Sequence, residues 1–285
     1  MKKIAMFLVL ACVLCTVAFA QQSYYVSANG SNDNDGLTES KPLQSLSWAF
    51  SKATRDSIKR ITVIGTLNMQ SQFVDSDGWK GKIESVFDLY ENDTQEITIT
   101  GKPGANDANR AILSARGSSA GVLYVKGNVR IRFEHIEISG GEEAPGIGLV
   151  INKGASVTLG TGAIIRNNTA SGILIHDGTC IIDGGEIRDN NKMGVLISER
   201  GVLTMHSGTI RDNKTNNGGG VYIFKDGRFT MTGGIITANS AARAGGGVYV
   251  ASGGRFDQTG GTITGNTAPQ APNVAREQGS LGKNL

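Results

Sequence analysis

Proline, cysteine and charge are all scarce in this 285-residue chain. Its 5 prolines exclude a collagen-like or proline-rich sequence. Charged residues make up 19% of the chain and apolar residues 39%, a balance that excludes a disordered protein and permits a packed core. Glycine is in excess, with 40 residues. Because glycine tolerates the backbone angles of tight turns, we expect an ordered chain that turns often.

The first twenty residues have the pattern of a secretory signal peptide. Two lysines precede an apolar run over 4–17, and Ala-Phe-Ala at 18–20 fits the rule for cleavage. The run is shorter than the roughly 20 apolar residues of a membrane-spanning helix. We therefore expect an exported mature chain from Gln21 without a transmembrane segment, located outside the cell, on its surface or in the periplasm. The alternative is a lipoprotein attached through Cys12.

Removal of residues 1–20 changes the charge and the cysteine count. It leaves 26 of the 28 basic residues against 25 acidic ones, a balance that gives no reason to expect a nucleic-acid partner. Two of the 3 cysteines leave with this segment. Cys180 then stays alone, so an intrachain disulfide is excluded.

Five segments in the second half of the chain repeat one pattern. Each has a glycine, a short apolar run, a turn, an alternating run, a small pair such as Gly-Gly and then Ile-x-x-Asn. The isoleucines of the last element are Ile165, Ile187, Ile210, Ile236 and Ile263. Period-2 alternation indicates strands, and one such unit cannot bury its apolar side alone. Stacking of the units predicts an all-β parallel β-helix, or solenoid.

The same alternation predicts which side chains enter the core. In the second strand of each repeat the inward pairs are Val157/Leu159, Cys180/Ile182, Leu203/Met205, Phe229/Met231 and Phe256/Gln258. Cys180 shares its position with leucine and phenylalanine in other repeats, so we expect a buried, inert thiol.

The flanking segments complete the predicted organisation. Apolar residues have helical spacing from Leu43 to Ile58, so we expect the segment 21–60 to cap the open end with a short amphipathic helix. Ile61 begins the first predicted strand of a β-helix over 61–268. Residues 269–285 are small and polar, and we expect them to form a flexible tail.

The start of the mature chain resembles that of a known group of proteins. Tyr-Tyr-Val-Ser-Ala-Asn-Gly-Ser-Asn-Asp-Asn-Asp-Gly at 24–36 and Lys-Pro-Leu-Gln-Ser-Leu at 41–46 resemble the opening of exported right-handed parallel β-helix proteins of the pectate-lyase-like superfamily. The Gly-Gly-x-Ile-x-x-Asn repeats are similar to those of bacterial surface and adhesin members. The resemblance implies this fold over nearly all of 23–268. It implies no single activity, because the superfamily includes lyases, hydrolases, adhesins and non-catalytic surface proteins.

One asparagine recurs at the end of every repeat. The column consists of Asn168, Asn190, Asn213, Asn239 and Asn266. We expect a structural ladder in which each side-chain amide bonds the next and satisfies the turn backbone. The alternative is a row of sugar-binding groups.

A charged stripe precedes this column. Arg166, Arg188 and Arg211 share one repeat position, Asp189 and Asp212 follow two of them, and Glu186 lies two residues before Arg188. Lyases of the resembled superfamily hold Ca²⁺ with clustered carboxylates and use an arginine or lysine as base. The resemblance thus makes Glu186, Asp189 and Asp212, with Arg188 or Arg211, the candidate catalytic set. The interpretation we favour is that each arginine pairs with its neighbouring aspartate on a solvated face.

Two other groups of residues bear on metal binding. Asp33 and Asp35 partly match a calcium loop, but the closing glutamate is missing and an Asx-rich turn is the favoured interpretation. His135, His176 and His206 occupy different repeat positions, which argues against a histidine metal site. No cofactor is favoured, and Ca²⁺ is the weak candidate.

Two functions are compatible with these patterns, and a purely structural role in the envelope is left open as a third. The favoured one is an exported, non-catalytic β-helix protein that binds a glycan or an extracellular protein in the manner of an adhesin. The alternative is a polysaccharide lyase or other carbohydrate-active enzyme that acts on an acidic polysaccharide, with Ca²⁺ as its cofactor. The sequence leaves the oligomeric state open.

Overall fold

The structure is a computed structural model that describes residues 22–69, 96–114, 122–140 and 146–284. The predicted signal peptide over 1–20, with Cys12, lies outside these residues. In the first half of the chain the elements are β1 (Tyr24–Ser27), α1 (Leu46–Arg55), β2 (Arg60–Ile64), β3 (Thr66–Asn68), β4 (Glu96–Thr100), β5 (Ala111–Ser114), β6 (Leu123–Lys126), β7 (Arg130–Glu134) and β8 (Ile136–Ser139).

The repeats of the second half supply the remaining strands. They are β9 (Leu149–Asn152), β10 (Ser156–Leu159), β11 (Ile164–Arg166), β12 (Ile173–His176), β13 (Thr179–Arg188), β14 (Val195–Ser198), β15 (Val202–Arg211), β16 (Lys214–Asn217), β17 (Val221–Ile223), β18 (Arg228–Met231), β19 (Ile235–Thr237), β20 (Ser240–Ala244), β21 (Val248–Val250), β22 (Arg255–Gln258), β23 (Thr262–Thr264) and β24 (Val274–Arg276).

Apart from β16 and β20, which pair with each other, the strands stack into three long parallel sheets. The first sheet has the order β24-β21-β17-β14-β12-β9-β6. The second runs from β1 through β2, β4, β7 and β10 to β13, β15, β18 and β22. The third runs from β3 through β5, β8 and β11 to β13, β15, β19 and β23, since β13 and β15 are long enough to pass through both. The predicted all-β parallel β-helix is confirmed.

The core is a set of columns in which equivalent residues lie one above the other. In the inward column of the second sheet, each residue pairs with the next in the order Cys180, Leu203, Phe229 and Phe256, one residue for each coil. All four side chains are buried, and the two phenylalanine rings stack with their centroids 4.9 Å apart. Burial raises the pKa of the Cys180 thiol to about 12, so little reactive thiolate forms at neutral pH.

The five asparagines form a continuous buried column beside the third sheet. The Asn190 backbone N–H and side-chain Nδ2 both donate to Oδ1 of Asn213, at 3.1 and 2.9 Å. Asn213 makes the same two bonds to Asn239, and its Nδ2 also donates to the Ile187 carbonyl. Each amide thus joins two coils and satisfies backbone groups at a corner, as a structural ladder requires.

Helix α1 packs against β1 and β2 at the N-terminal end. It is shorter than the expected Leu43–Ile58 because Ser45 caps it: the Ser45 side chain accepts from the Trp48 N–H. The apolar face that it buries consists of Leu46, Ala49, Phe50 and Ala53. The predicted amphipathic helix at the cap is therefore present with different ends.

Two predicted boundaries are wrong. The first rung is β1, which precedes the helix and pairs with β2, so the β-helix begins before Ile61 and includes part of the segment 21–60. At the other end β24 adds a rung to the first sheet, and Leu281 pairs with Arg255 in the second. Residues 269–285 are therefore not a separate flexible tail over their described part, because backbone hydrogen bonds hold them to the previous coil.

An arginine ends the core. Arg276 occupies the inward position that Val250 has one coil earlier. Its guanidinium lies 5.6 Å from the Phe256 ring centroid and donates to the Phe256 and Leu281 carbonyls at 3.0 and 2.8 Å. A charged side chain that covers the last aromatic ring and bonds exposed carbonyls makes the end of the solenoid polar, as terminal repeats need to be.

Replacement of one amide in the ladder tests its contribution to stability. Asn213→Ala removes the Oδ1 that accepts from the Asn190 N–H and Nδ2, and it removes one of the two donors to the Asn239 Oδ1. We therefore expect the free energy of unfolding to fall by about 2–4 kcal/mol. Asn216→Ala, an exposed change in the same coil, is the matched control and should cost no more than about 0.5 kcal/mol. Urea denaturation measures both, and equal effects would mean that the ladder stabilises nothing.

Candidate functional site

The charged stripe lies on the outer side of the third sheet. Parallel pairing places Arg166 beside Arg188 and Arg188 beside Arg211 in consecutive coils. In the next coil the position is Thr237, where the stripe ends. Three stacked guanidinium groups repel one another unless carboxylates lie between them.

Carboxylates neutralise every arginine of this stripe. Glu186 lies between two coils and bonds Arg188 Nε at 3.2 Å and Arg211 Nε at 2.6 Å. Arg188 also pairs with Asp189, and Arg211 with Asp212. The structure thus brings all five candidate residues together, as a chain of ion pairs along the sheet.

The electrostatics of these pairs disfavour the role of a base. Burial alone would lower the pKa of Arg211, but the hydrogen bonds that its guanidinium donates to Asp212 and Glu186 outweigh this effect, and the pKa is raised. A base in β-elimination has to accept a proton from the substrate, whereas this guanidinium is held in its protonated form. The arrangement is that of structural ion pairs.

Asp189 and Asp212 also have a backbone role. The residue before each ladder asparagine has a positive φ, and the set is Asn167, Asp189, Asp212, Ala238 and Gly265. Asparagine, aspartate and glycine are the residues that adopt this left-handed conformation most readily. The backbone conformation at the corner is therefore a second reason, besides the ion pairs, for an aspartate at each of these two positions.

Two acidic partners of Arg166, Glu137 and Asp107, were missed from the sequence. Glu137 lies in β8 with its side chain 4% exposed, and its Oε2 is 2.8 Å from Nη2 of Arg166. Arg166 also lies 3.6 Å from Asp107. The pKa of Arg166 is raised, chiefly by the contact with Glu137. Glu137 falls outside the five repeats, so the repeat pattern carries no signal for it.

In the candidate calcium loop, polar side chains bond the backbone of the loop itself. Asp35 Oδ1 accepts from the Leu37 N–H at 2.9 Å, and the Asp33 N–H donates to the Ser31 hydroxyl at 3.2 Å. These are turn contacts of the Asx and Ser type. Among the residues that the structure describes, no group of three or more His, Cys, Asp or Glu side chains could hold a metal ion.

The three histidines lie on different elements. His135 is a turn residue with a φ of 48°. His176 ends β12, where it contacts the Ser198 hydroxyl at 3.2 Å and Glu199 at 3.3 Å. His206 contacts Thr232 in the next coil. The contacts of His176 and His206 thus involve different partners in different coils.

A different surface stands out, on the outer side of the first sheet. Between the two inward residues of each strand lies one outward residue, and in six consecutive coils this residue is apolar or aromatic. The column, called here the first-sheet face, consists of Tyr124, Val150, Leu174, Leu196, Tyr222 and Tyr249. All six are only partly buried. Five steps of about 4.8 Å make a stripe of about 24 Å.

A polar column runs beside the first-sheet face. Lys126, Asn152, His176 and Ser198 are in register two residues further along the strands. In the next coil the chain reaches Phe224, whose side chain is 43% exposed. The surface therefore offers apolar contact and hydrogen-bonding groups side by side over several coils.

Aromatic rings cluster at the C-terminal end of this face. Tyr222 stacks on Tyr249 with centroids 5.0 Å apart, and Phe224 lies 4.6 Å from Tyr222. The Glu277 carboxylate accepts from the Tyr249 hydroxyl and from the Ser252 N–H. These two bonds lower the pKa of Glu277, so it is charged at neutral pH.

The sequence does contain a signal for this face. A strand with one solvated side alternates apolar and polar residues, but Gly-Ile-Leu-Ile, Gly-Val-Leu-Ile and Gly-Val-Tyr-Ile have apolar residues at three consecutive positions. The break in alternation marks an outer side that is not simply solvated. The inward positions alone carry no sign of this outer face.

Comparison with known proteins agrees with this architecture. Residues 108–275, more than half of the chain, match the family described as "Right handed beta helix region". The chain belongs to this family. The β-helix is therefore right-handed, as the sequence resemblance implied, and consistent with the pectate-lyase-like superfamily. No curated protein and no solved structure matches the chain significantly. Over the described residues, none of the helical structure of this β-helix protein is long and apolar enough to cross a membrane.

The contact between Tyr249 and Glu277 can be tested by titration. The hydrogen bond to Glu277, followed by burial, raises the pKa of Tyr249 from 10.0 to about 12. Since the folded state binds this proton more tightly, the stabilisation is complete below about pH 10 and is lost as the pH rises through about 12. Tyr249→Phe removes the phenolate absorbance of Tyr249. We expect the absorbance that is lost to be that which appears near pH 12 in the unchanged protein. Glu277→Ala should move that transition toward pH 10, whereas a Tyr249 transition near pH 10 in the unchanged protein would contradict the contact.

Proposed function

We propose that this β-helix protein is an exported, non-catalytic binding module that attaches to an extracellular glycan or protein through the first-sheet face. The observation that carries the proposal is the unbroken apolar and aromatic column over six coils. Single exposed apolar residues are ordinary, but a contiguous apolar stripe on a surface is typical of an interaction site.

The charged stripe supports the non-catalytic part of the proposal. Arg188 and Arg211 form ion pairs with Glu186, Asp189 and Asp212, and Arg166 forms ion pairs with Glu137 and Asp107. Such pairs stabilise stacked like charges on adjacent strands, which is a sufficient reason for their presence. The polysaccharide lyase alternative requires one of these arginines to act as a base, and the contacts favour the opposite.

Rigidity supports the binding part. The side chains of the first-sheet face are fixed by the register of a continuous sheet and by contact with the neighbouring coils. A preorganised surface loses less conformational entropy on association than a flexible loop does. An adhesin-like role makes use of this property, because a long straight face can contact an extended ligand at several coils.

A matched pair of variants tests the proposed face. Leu174 and Ile181 lie in the same coil, point outward from the first and second sheets respectively, and are both partly buried. On a panel of extracellular matrix proteins and glycans, we expect Leu174→Asp to weaken binding of the recognised ligand about tenfold or more and Ile181→Asp to leave it unchanged. Thermal unfolding of both variants controls for stability. Equal binding by all three proteins would place the ligand elsewhere.

The enzyme alternative needs its own assay. We expect no unsaturated product from polygalacturonate or alginate, with or without added Ca²⁺. Product that forms with the unchanged protein and disappears in Arg188→Ala would replace the non-catalytic proposal with the lyase.

A further inference from the structure

The chemistry of the first-sheet face indicates what class of ligand it fits. The apolar residues of this face and the polar column beside it repeat together along the β-helix axis. A pyranose ring has the same division, with C–H groups on its faces and hydroxyls around its rim. In a linear polysaccharide this division repeats along the chain, so ring faces can lie on the apolar column while hydroxyls bond the amide, imidazole and hydroxyl groups beside it.

The aromatic cluster provides the strongest contact. Tyr222, Phe224 and Tyr249 are close enough to hold one another in place, with ring centroids 4.6 and 5.0 Å apart. Rigid aromatic side chains supply large contact area at low entropic cost. Phe224 is the most exposed of the three, and it is also the residue that replaces the polar column in its coil. The cluster is therefore the place where a sugar ring gains most from stacking.

The charges at this end disfavour an anionic polymer. The charged group that bonds an anchor ring is Glu277, whose carboxylate accepts from the Tyr249 hydroxyl. Glu277 is fixed by its bonds to Tyr249 and Ser252 and accepts hydrogen bonds as a charged group. A carboxylate here can accept from a sugar hydroxyl but repels a uronate or a sulfate.

Between its end strands β6 and β24, the first sheet offers no free backbone group to an added strand. The backbone N–H and C=O groups of the first-sheet strands are used between coils, so recognition on this face has to use side chains. That requirement suits a ligand rich in hydroxyl groups better than an extended peptide, which binds sheets through its backbone.

We propose that the first-sheet face binds an uncharged linear polysaccharide along the β-helix axis, with Tyr222, Phe224 and Tyr249 as the stacking anchor and Glu277 as an acceptor for sugar hydroxyls. This inference rests on the proposed binding function and specifies its ligand class.

Affinity electrophoresis with a set of soluble polysaccharides tests it. The uncharged probes are mixed-linkage β-glucan, galactomannan and dextran, and the anionic probes are polygalacturonate and heparin. We expect at least one uncharged polymer to retard the protein and the anionic polymers not to. Phe224→Ala should weaken this binding about tenfold. Trp48→Ala is the control, because Trp48 is an aromatic residue of similar exposure, 46%, that lies on α1 away from the first sheet.

Tyr249→Phe separates the stacking of the Tyr249 ring from the hydrogen bond of its hydroxyl group. The variant keeps the ring and removes the hydroxyl that bonds Glu277, so it should bind more tightly than Tyr249→Ala does. Retardation by anionic polymers only, or binding that Phe224→Ala leaves unchanged, would overturn the inference.

The outcomes distinguish this inference from the proposed function. If no uncharged polysaccharide binds but an extracellular protein does, and Leu174→Asp abolishes that contact, the ligand class is wrong and the binding face stands. If an uncharged polysaccharide binds equally to Leu174→Asp and Phe224→Ala, both the ligand site and the binding face are wrong.

Discussion

In-register stacking of parallel coils is the constraint on which every other feature depends. Because each strand pairs with the equivalent strand one repeat later, a residue at one repeat position always lies about 4.8 Å from its counterpart. Like residues therefore meet like residues, as in the column that contains Cys180, Leu203 and Phe229. This favours side chains that are compatible with their own kind. Apolar residues and amides meet that condition directly, and arginines meet it when carboxylates intervene.

The same rule explains which features the sequence could predict. The repeat spacing and the period-2 alternation determine the coil, the inward columns and the asparagine ladder, because all of these depend on contacts between equivalent positions. The corner φ values could be anticipated as well, since Asn167, Asp189 and Gly265 are residue types that adopt them. Contacts that do not repeat from coil to coil could not be predicted from the sequence. Glu137 is buried by packing outside the aligned repeats, and the helix begins at Leu46 because Ser45 caps its N-terminus.

The errors at the two ends have a common physical cause. Terminal coils have a neighbour on one side only, so their sequences depart from the repeat and carry groups that cover an open end. Tyr24 to Ser27 pairs like any rung but lacks the Gly-Gly-x-Ile signature, and the last rung has an arginine at a core position. A short strand with a charged inward residue looks like a tail in the sequence, although its backbone continues the ladder. The ends of a solenoid are thus the places where pattern recognition fails first.

Stacking also decides where binding can evolve without a cost to the fold. An outward residue can change in one coil and leave the inward columns and the ladder intact, so the outer sides are available for recognition. Six coils contributing one small contact each can hold an extended ligand firmly, provided that the contacts are aligned and rigid. The third sheet uses its outer side for ion pairs between coils, whereas the first sheet presents apolar residues that no described segment covers. A surface that neither stabilises its own coils through charge nor consists of polar residues is explained most directly by a partner that lies along it.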